Sequence, residues 1–345
     1  MNKIKAYLHN HAIIKPSELA PATSALIARL IGATFSPAQV AVVEGGADVA
    51  AEFAALPFDH IIFTGSGRIG RKVMAAAVEH LTPVTLELGG KSPAIVHESY
   101  DVNDAADKII TTKLWNAGQT CIAPDYVLAH ESRRDALVAA IETSLTTRFK
   151  NVVANSDYSH MINAGSWRRM NDIVQDAAAQ GARVVAFNPA NELADEASGV
   201  FLPTLLLDIP DDARAMTEEL FGPILPIKTY KTMDDAVAYI NQNERPLALY
   251  YFDNDNARVD ALLARTTAGG VVVNDCMLHY AQHNLPFGGV GGSGMGAYHG
   301  HVGFLTFSKQ TGVFMQNRIV AAVLKRVMKP PYNVWTERMI QFLMR

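Results

Sequence analysis

Of the two cysteines in this 345-residue chain, one stands where chemistry is possible. Cys121 closes the run Trp115-Asn116-Ala117-Gly118-Gln119-Thr120-Cys121, just past an apolar helical pattern, where Gly118 permits a tight backbone turn. A thiol on such a loop, flanked by amides, is placed to act as a nucleophile. An unperturbed cysteine, with a pKa near ~8.5, is only slightly ionised at pH 7, so the site would have to activate it. The commoner fate of a lone cysteine is a buried structural thiol, and that reading stays open at this point. Cys276, in Val273-Asn274-Asp275-Cys276, has no comparable glycine context and reads as packing.

A second feature is Gly65-Ser66-Gly67-Arg68-Ile69-Gly70, which follows an apolar run and opens a helical pattern. Bare N–H groups at a helix N-terminus suit a phosphate. A dinucleotide fingerprint then asks for an acidic side chain about 20 positions on to hold a ribose, and Glu87 falls there. A glycine-rich turn without a ligand is the alternative. The histidines, His279, His283, His299 and His301 among them, show no metal-ligand spacing, so no metal site is expected.

The elements that must position these residues alternate in type. Apolar runs at Ala12-Ile13-Ile14, Val40 to Glu44, His60 to Thr64, Tyr126 to Ala129, Val200 to Leu207, Ile224 to Tyr230, Leu247 to Phe252 and Gly270 to Asn274 read as strands. Helical patterns cover Ala22 to Ile31, Arg68 to Leu81, a stretch ending near Trp115, Ala136 to Phe149, Asp234 to Ile240 and Ala257 to Ala264. This rhythm predicts an α/β fold with parallel sheets, and the length predicts more than one packed unit. The run from Leu285 to Gly294 is too glycine-rich for a regular element.

Composition bounds the partners. A formal net charge of −4 gives no overall field that would draw the chain onto nucleic acid, so small molecules are the expected ligands. Two cysteines do not make a disulfide framework, which points to a reducing compartment. Neither an export signal nor an apolar run of membrane-spanning length is present, and a cytoplasmic location is expected. The basic start at Met1 to Lys5 is followed by residues too polar for a signal core. The tail from Arg318, with Lys325, Arg326, Lys329 and Arg338, is basic and amphipathic and reads as the solvated face of a packed terminal helix rather than a lipid-binding one.

Several segments together resemble the aldehyde dehydrogenase superfamily. They are Lys15-Pro16-Ser17-Glu18, Phe63-Thr64-Gly65-Ser66, Leu86-Glu87-Leu88-Gly89-Gly90-Lys91-Ser92-Pro93, Gly118-Gln119-Thr120-Cys121, Glu218-Glu219-Leu220-Phe221-Gly222-Pro223 and Pro286-Phe287-Gly288-Gly289. The run from Gly118 to Tyr126 and Gly303 to Lys309 are most similar to the class 3 branch, and Leu278 to Gln282 to its coniferyl aldehyde dehydrogenases. The resemblance implies an aldehyde dehydrogenase-like fold. An incomplete Rossmann-type cofactor domain would cover residues 1–88, a second α/β catalytic domain 89–308, and a bridging tail 309–345.

It also implies roles. Cys121 would be the nucleophile and Glu87 the base that activates water. The cofactor, NAD with NADP possible, would be held by Lys15, Glu18, Gly65, Ser66, Gly70, Glu219 and Phe221, so that Glu18 takes the ribose role that spacing alone gives Glu87. Trp115 would line a channel for an aromatic or long aliphatic aldehyde, with a core tryptophan as the alternative. A homodimer is implied. Family members carry a long segment before Lys-Pro-Ser-Glu, whereas fourteen residues precede Lys15 here. The expectation is therefore a truncated form lacking the first cofactor-sheet strand and an Asn that donates to the oxyanion. Rival readings are an acylating dehydrogenase that passes its thioester to coenzyme A, a non-catalytic nucleotide-binding or interaction protein, and a Cys–His hydrolase.

Overall fold

Alternate residues of one parallel sheet face two separate cores, and this sheet organises the chain. The computed structural model describes residues 10–344, apart from the side chains of residues 323, 325–328 and 343. The expected basic start, and the Lys325 and Arg326 side chains of the basic tail, lie outside the described residues.

The strands are β1 (Ala12–Ile14), β2 (Val40–Val42), β3 (Ile61–Thr64), β4 (Val84–Glu87), β5 (Pro93–Val96), β6 (Tyr126–His130), β7 (Arg183–Ala186), β8 (Thr204–Leu207), β9 (Ile224–Tyr230), β10 (Ala248–Phe252), β11 (Gly270–Val273) and β12 (Gly294–Met295). Seven of them form a sheet of order β11-β10-β5-β6-β9-β8-β7, parallel throughout except for β7. Because successive side chains point to opposite faces, Ala94, Val96, Val127 and Ala129 enter one core and Ile95, Tyr126 and Leu128 the other. Two smaller sheets accompany it: β1-β2, parallel, and β12-β4-β3, in which β3 runs parallel to β4 and β12 antiparallel.

Helices α1 (Pro21–Thr34), α2 (Ala47–Ala54), α3 (Gly67–Ala77) and α4 (Val102–Lys113) lie between these strands. Three of them begin at a recognisable start signal. Pro21 sits at the first turn of α1, Ser66 caps α3 by accepting from Ile69 N–H, and Asp101 caps α4 by accepting from Asn103 and Asp104 N–H. Helix α4 buries Ala105, Ala106, Ile109 and Ile110 and delivers the chain to Trp115. The α5 (Arg134–Arg148) and α6 (Ala164–Ala179) helices pack against the two cores, α5 through Leu137 and Ile141 and α6 through Met170 and Ile173. By compactness, His11–Thr306 is one unit. The segment from Phe307 belongs to another, to which Asn10 is tied by its Nδ2 donating to Phe307 O at 2.8 Å.

The structure differs from the sequence expectations in particular places. The expected strand Val200 to Leu207 starts only at Thr204, because Pro203 has no N–H to donate and the Val200 carbonyl is taken by Trp167 Nε1. The glycine-rich loop does contain a short strand, β12, lying on β4 with Gly294 opposite Glu87. Strands β4, β5 and β7 and helix α6 carry too weak a pattern to be read from the sequence.

Candidate active site

Three neighbouring parallel strands, β5, β6 and β9, receive their incoming loops at the same end of the sheet. The loops are Leu88 to Ser92, Gly118 to Asp125 and Glu218 to Pro223, and parallel pairing alone brings them together. Strand β4 of the small sheet ends with Glu87 and runs directly into the first of these loops. The candidate site thus lies between the carboxyl end of β4 and the amino ends of β5, β6 and β9.

The cysteine loop is bent sharply. Asn116, Ala117 and Gly118 all have positive φ, at 53°, 52° and 74°. For Asn116 and Ala117 this left-handed backbone costs roughly 1–2 kcal/mol each, strain that the surrounding contacts must hold. Gly118 is required twice over, since a Cβ there would lie 2.3 Å from Gly222 O. Asn116 Nδ2 donates to Gln119 O (3.1 Å), and Gln119 Nε2 donates to Asn116 O and His160 O (both 3.0 Å). Gln119 Oε1 accepts from Ile162 N–H (2.8 Å), so this one amide ties the loop to a segment some forty residues away. Tyr250 OH closes the far side by donating to Ile122 O.

Cys121 emerges half-buried, packed, like Tyr298, against the larger core. Burial, then the charges of Glu219 and Glu87, push its thiol up to about 11, while the Cys121 and Ile122 N–H groups favour the thiolate. Glu87 is 2% exposed, and neither carboxylate oxygen has a hydrogen-bond partner among the described residues. Burial alone pushes it up to about 8. Glu219 is likewise pushed up to about 7, chiefly by burial and then by the Asp125 charge, with Gly90 N–H donating to the carboxylate. It fills the space a side chain at Gly89 would need, because a Cβ there would lie 1.9 Å from Glu219 Oε1. The thiol therefore senses both carboxyls, and the structure brings Cys121, Glu87 and Glu219 into one site.

The remaining expected residues fall as follows. Lys15 and Glu18, just after β1, pair with each other at 2.7 Å. The Lys15 hydrogen bond holds Glu18 below the usual carboxylate range. Ser66 is exposed at the α3 N-terminus. Gly65 lies against Phe63, whose ring would be 2.6 Å from a Cβ there, and Gly70 lets α3 close on Leu88, 2.7 Å from its own notional Cβ. Phe221, with φ 50°, is 44% exposed. Trp115 is 48% exposed and so is not a core tryptophan. Cys276 is fully buried.

Two charges carry no role in the sequence reading although both lie within the family-like segments, Asp125 buried and Lys91 nearly so. Lys91 Nζ contacts Asp125 Oδ2 and donates to Ala215 O (2.6 Å), and Asp125 Oδ1 accepts from Leu220 N–H (3.0 Å). This pair fixes the residue between Glu219 and Phe221. Among the described residues no group of three or more His, Cys, Asp or Glu is arranged to hold a metal ion.

Residues 2–313 match the model of the aldehyde dehydrogenase family. The chain belongs to the aldehyde dehydrogenase family. As an aldehyde dehydrogenase it is an oxidoreductase, and its α/β architecture is the family's. Among its relatives is a probable coniferyl aldehyde dehydrogenase of Caulobacter vibrioides, 47% identical over 326 residues, which cover 94% of this chain and 67% of that protein. A coniferyl aldehyde dehydrogenase of a Pseudomonas strain is 46% identical over 325 residues, covering 94% and 67%. The substrate-bound AldH of Staphylococcus aureus superposes with a TM-score of 0.88 at 40% identity, covering 97% of this chain and 71% of that one. The indole-3-acetaldehyde dehydrogenase AldA of P. syringae, a mutant solved with NAD+ and IAA, superposes at 0.81 with 26% identity, covering 89% and 63%. This aldehyde dehydrogenase thus spans about two-thirds of the length of the curated relatives it matches. No helix among its described residues is long and apolar enough to cross a membrane.

Proposed function

We propose that this aldehyde dehydrogenase oxidises an aldehyde of the coniferyl type, or a long aliphatic one, to the carboxylic acid with NAD or NADP. In this reading residues 1–88 serve the cofactor, 89–308 the chemistry, and 309–345 form a bridging tail. The observation that carries the reading is the thiol of Cys121 held on a strained loop, with the carboxyls of the buried Glu87 and the half-buried Glu219 both acting on it.

The residues present fit a nicotinamide dinucleotide. The Ser66-capped α3 N-terminus offers N–H groups to a pyrophosphate beside Gly65, and Gly70 keeps that helix close to Leu88. Glu18, exposed and ionised, suits a ribose diol, and Lys15 beside it tempers the repulsion of a 2′-phosphate. Glu219, seated over Gly89, would hold the second ribose and Phe221 would pack at the ring. When bound, the cofactor supplies the oxidised ring that accepts a hydride equivalent and a positive charge near the thiol.

The chain's own groups do the rest. Cys121, as thiolate, forms the C–S bond to the aldehyde carbon, and the carbonyl π pair becomes an oxyanion facing the Cys121 N–H. After oxidation the acyl group remains on sulfur as a thioester. Glu87 then takes a proton from water as the water oxygen bonds to the acyl carbon and the C–S bond breaks. Neither of its oxygens is committed to a partner among the described residues, so either can accept from that water, and its raised pKa makes it a base at mildly alkaline pH. Trp115, being exposed on the same loop, is available to the substrate's apolar part.

One observation favours a second reading of the base. Glu219, like Glu87, acts on the thiol, and burial raises it to about 7, so near neutral pH it too can serve as the base for the Cys121 proton. Formation of reduced nicotinamide with coniferyl aldehyde, followed by absorbance in wild type, Cys121→Ala, Glu87→Gln and Glu219→Gln, tests both. Turnover surviving Cys121→Ala overturns the function; loss of only steady-state turnover in Glu87→Gln, with a single burst kept, assigns the hydrolytic base.

A further inference from the structure

Leu220, fully buried between Glu219 and Phe221, satisfies both of its backbone groups with side chains. Its N–H donates to Asp125 Oδ1 (3.0 Å), and its carbonyl accepts from Arg169 Nη1 (2.7 Å). Arg169, in the second turn of α6, also gives Nη2 to the Glu219 carbonyl (2.6 Å), so one guanidinium spans two consecutive carbonyls. The nearby Glu218 carboxylate receives only a longer contact from it (3.2 Å), being held already by Arg214 Nε (2.8 Å). A planar fork of donors suits two fixed acceptors, and here it sets the peptide planes on both sides of Leu220. Phe221 follows with its φ of 50°, a backbone that a bulky side chain adopts only when its surroundings impose it.

The start of α6 also holds the thiol loop. Gln119 bonds to His160 O and Ile162 N–H, just before the Asn163 cap of the helix. Met170, next to Arg169, lies against Gly222, where a Cβ would come 2.2 Å from its Sδ. One stretch, 160–170, thus touches both the loop that carries the nucleophile and the loop that carries Glu219 and Phe221. We propose that Arg169 is a positioning residue for the cofactor, its fork fixing the backbone that aims Glu219 at the nicotinamide ribose and Phe221 at the ring, an inference that rests on the roles read above for those two residues. The Arg169 charge also favours the ionised form of Glu219. Arg168, beside it in the chain, is exposed and pairs instead with Glu196 (2.7 Å), which makes it the natural control.

The test compares binding of NADH and of ADP to the full chain by calorimetry. ADP ends before the nicotinamide ribose, so it does not reach the loop that Arg169 holds. Arg169→Met should raise the Kd of NADH about tenfold, the effect of losing one charge-assisted hydrogen bond, and leave the Kd of ADP where it is; Arg168→Met should alter neither. Equal weakening of NADH and ADP, or none, overturns the proposal. Glu219→Ala separates it from the reading beneath: NADH weakened there but not in Arg169→Met overturns the proposal alone, whereas full NADH affinity in Glu219→Ala overturns the ribose assignment and this inference with it. A second arm needs no cofactor. Hydrogen exchange over residues 218–222, followed by mass spectrometry, should quicken about tenfold in Arg169→Met, with β5 and β6 unaffected and Arg168→Met at the wild-type rate. An unchanged rate in that segment overturns the proposal equally. Should Arg169→Met not fold, Arg169→Lys, which keeps the charge but not the fork, is read in its place with the same signs.

Discussion

Replacing Glu87 by Gln removes a group that the fold holds against its own ionisation, and the consequence for stability has a defined pH signature. Below about pH 4.5 the carboxyl is protonated in both the folded and the unfolded chain. Between there and about 8 the unfolded chain has released a proton that the folded protein still holds. The Glu87 contribution to wild-type stability therefore falls by ~1.4 kcal/mol per pH unit across that window and levels off above it. From an ordinary 4.5 to about 8, the accumulated loss is roughly 5 kcal/mol, an upper figure because water admitted on ionisation reduces it. Glu87→Gln cannot titrate, and every other group is common to both proteins. The difference in unfolding free energy between variant and wild type, from urea titrations at pH 5, 6, 7, 8 and 9, should then rise with pH in favour of the variant and flatten beyond pH 8. Any cost of burying the amide is a constant offset and does not change that slope. A difference that stays flat from pH 5 to 9 would refute the claim that burial raises Glu87.

Three further outcomes follow from the geometry. Alkylation of Cys121 by iodoacetamide in cofactor-free protein should quicken about tenfold per pH unit from pH 7 to 9.5, since the thiol sits at about 11 and Cys276 is fully buried; a plateau below pH 9 contradicts this. Gly118→Ala should lose about 2–4 kcal/mol in urea unfolding, from a Cβ 2.3 Å from Gly222 O and a φ of +74°, and a neutral effect would show that the loop is not held as described. Asp125→Ala should cost about 3–5 kcal/mol by the same measurement, because Lys91 is left buried without its partner and Leu220 N–H without its acceptor; a loss under about 1 kcal/mol would show that the network contributes little.

What was legible in the sequence has a physical pattern. Strands such as Ile224–Tyr230 and Ala248–Phe252 announce themselves because a central parallel strand buries both faces and reads as a nearly continuous apolar run. Strand β4, only four residues long and ending in a charged Glu87, and β5, which starts at a proline, carry no such signal. Helix α6 escapes for a different reason: its apolar stripe of Met170, Ile173 and Ala177 is narrow and interrupted by arginine and aspartate on the other faces. In the site, Cys121 and the Gly65 to Gly70 turn are visible from residue type and local context. Glu219 entered through family resemblance, since no local pattern marks a carboxylate that becomes important only when the loop before β9 meets Gly89. Gln119 and Asp125 were in plain view within a quoted motif, yet their partners His160, Ile162 and Leu220 are distant in the chain.

The proposed mechanism turns on an acyl group that rests on Cys121 and leaves with the help of Glu87. Intact-mass spectrometry of Glu87→Gln mixed with NAD and coniferyl aldehyde would see that acyl group itself. One acyl group per chain, mapped to Cys121, is expected to appear with one equivalent of reduced cofactor and to persist about 10²–10⁴ times longer than in wild type. Cys121→Ala should carry none. Continued formation of reduced cofactor over many turnovers in Glu87→Gln, with no adduct on Cys121, would contradict the mechanism.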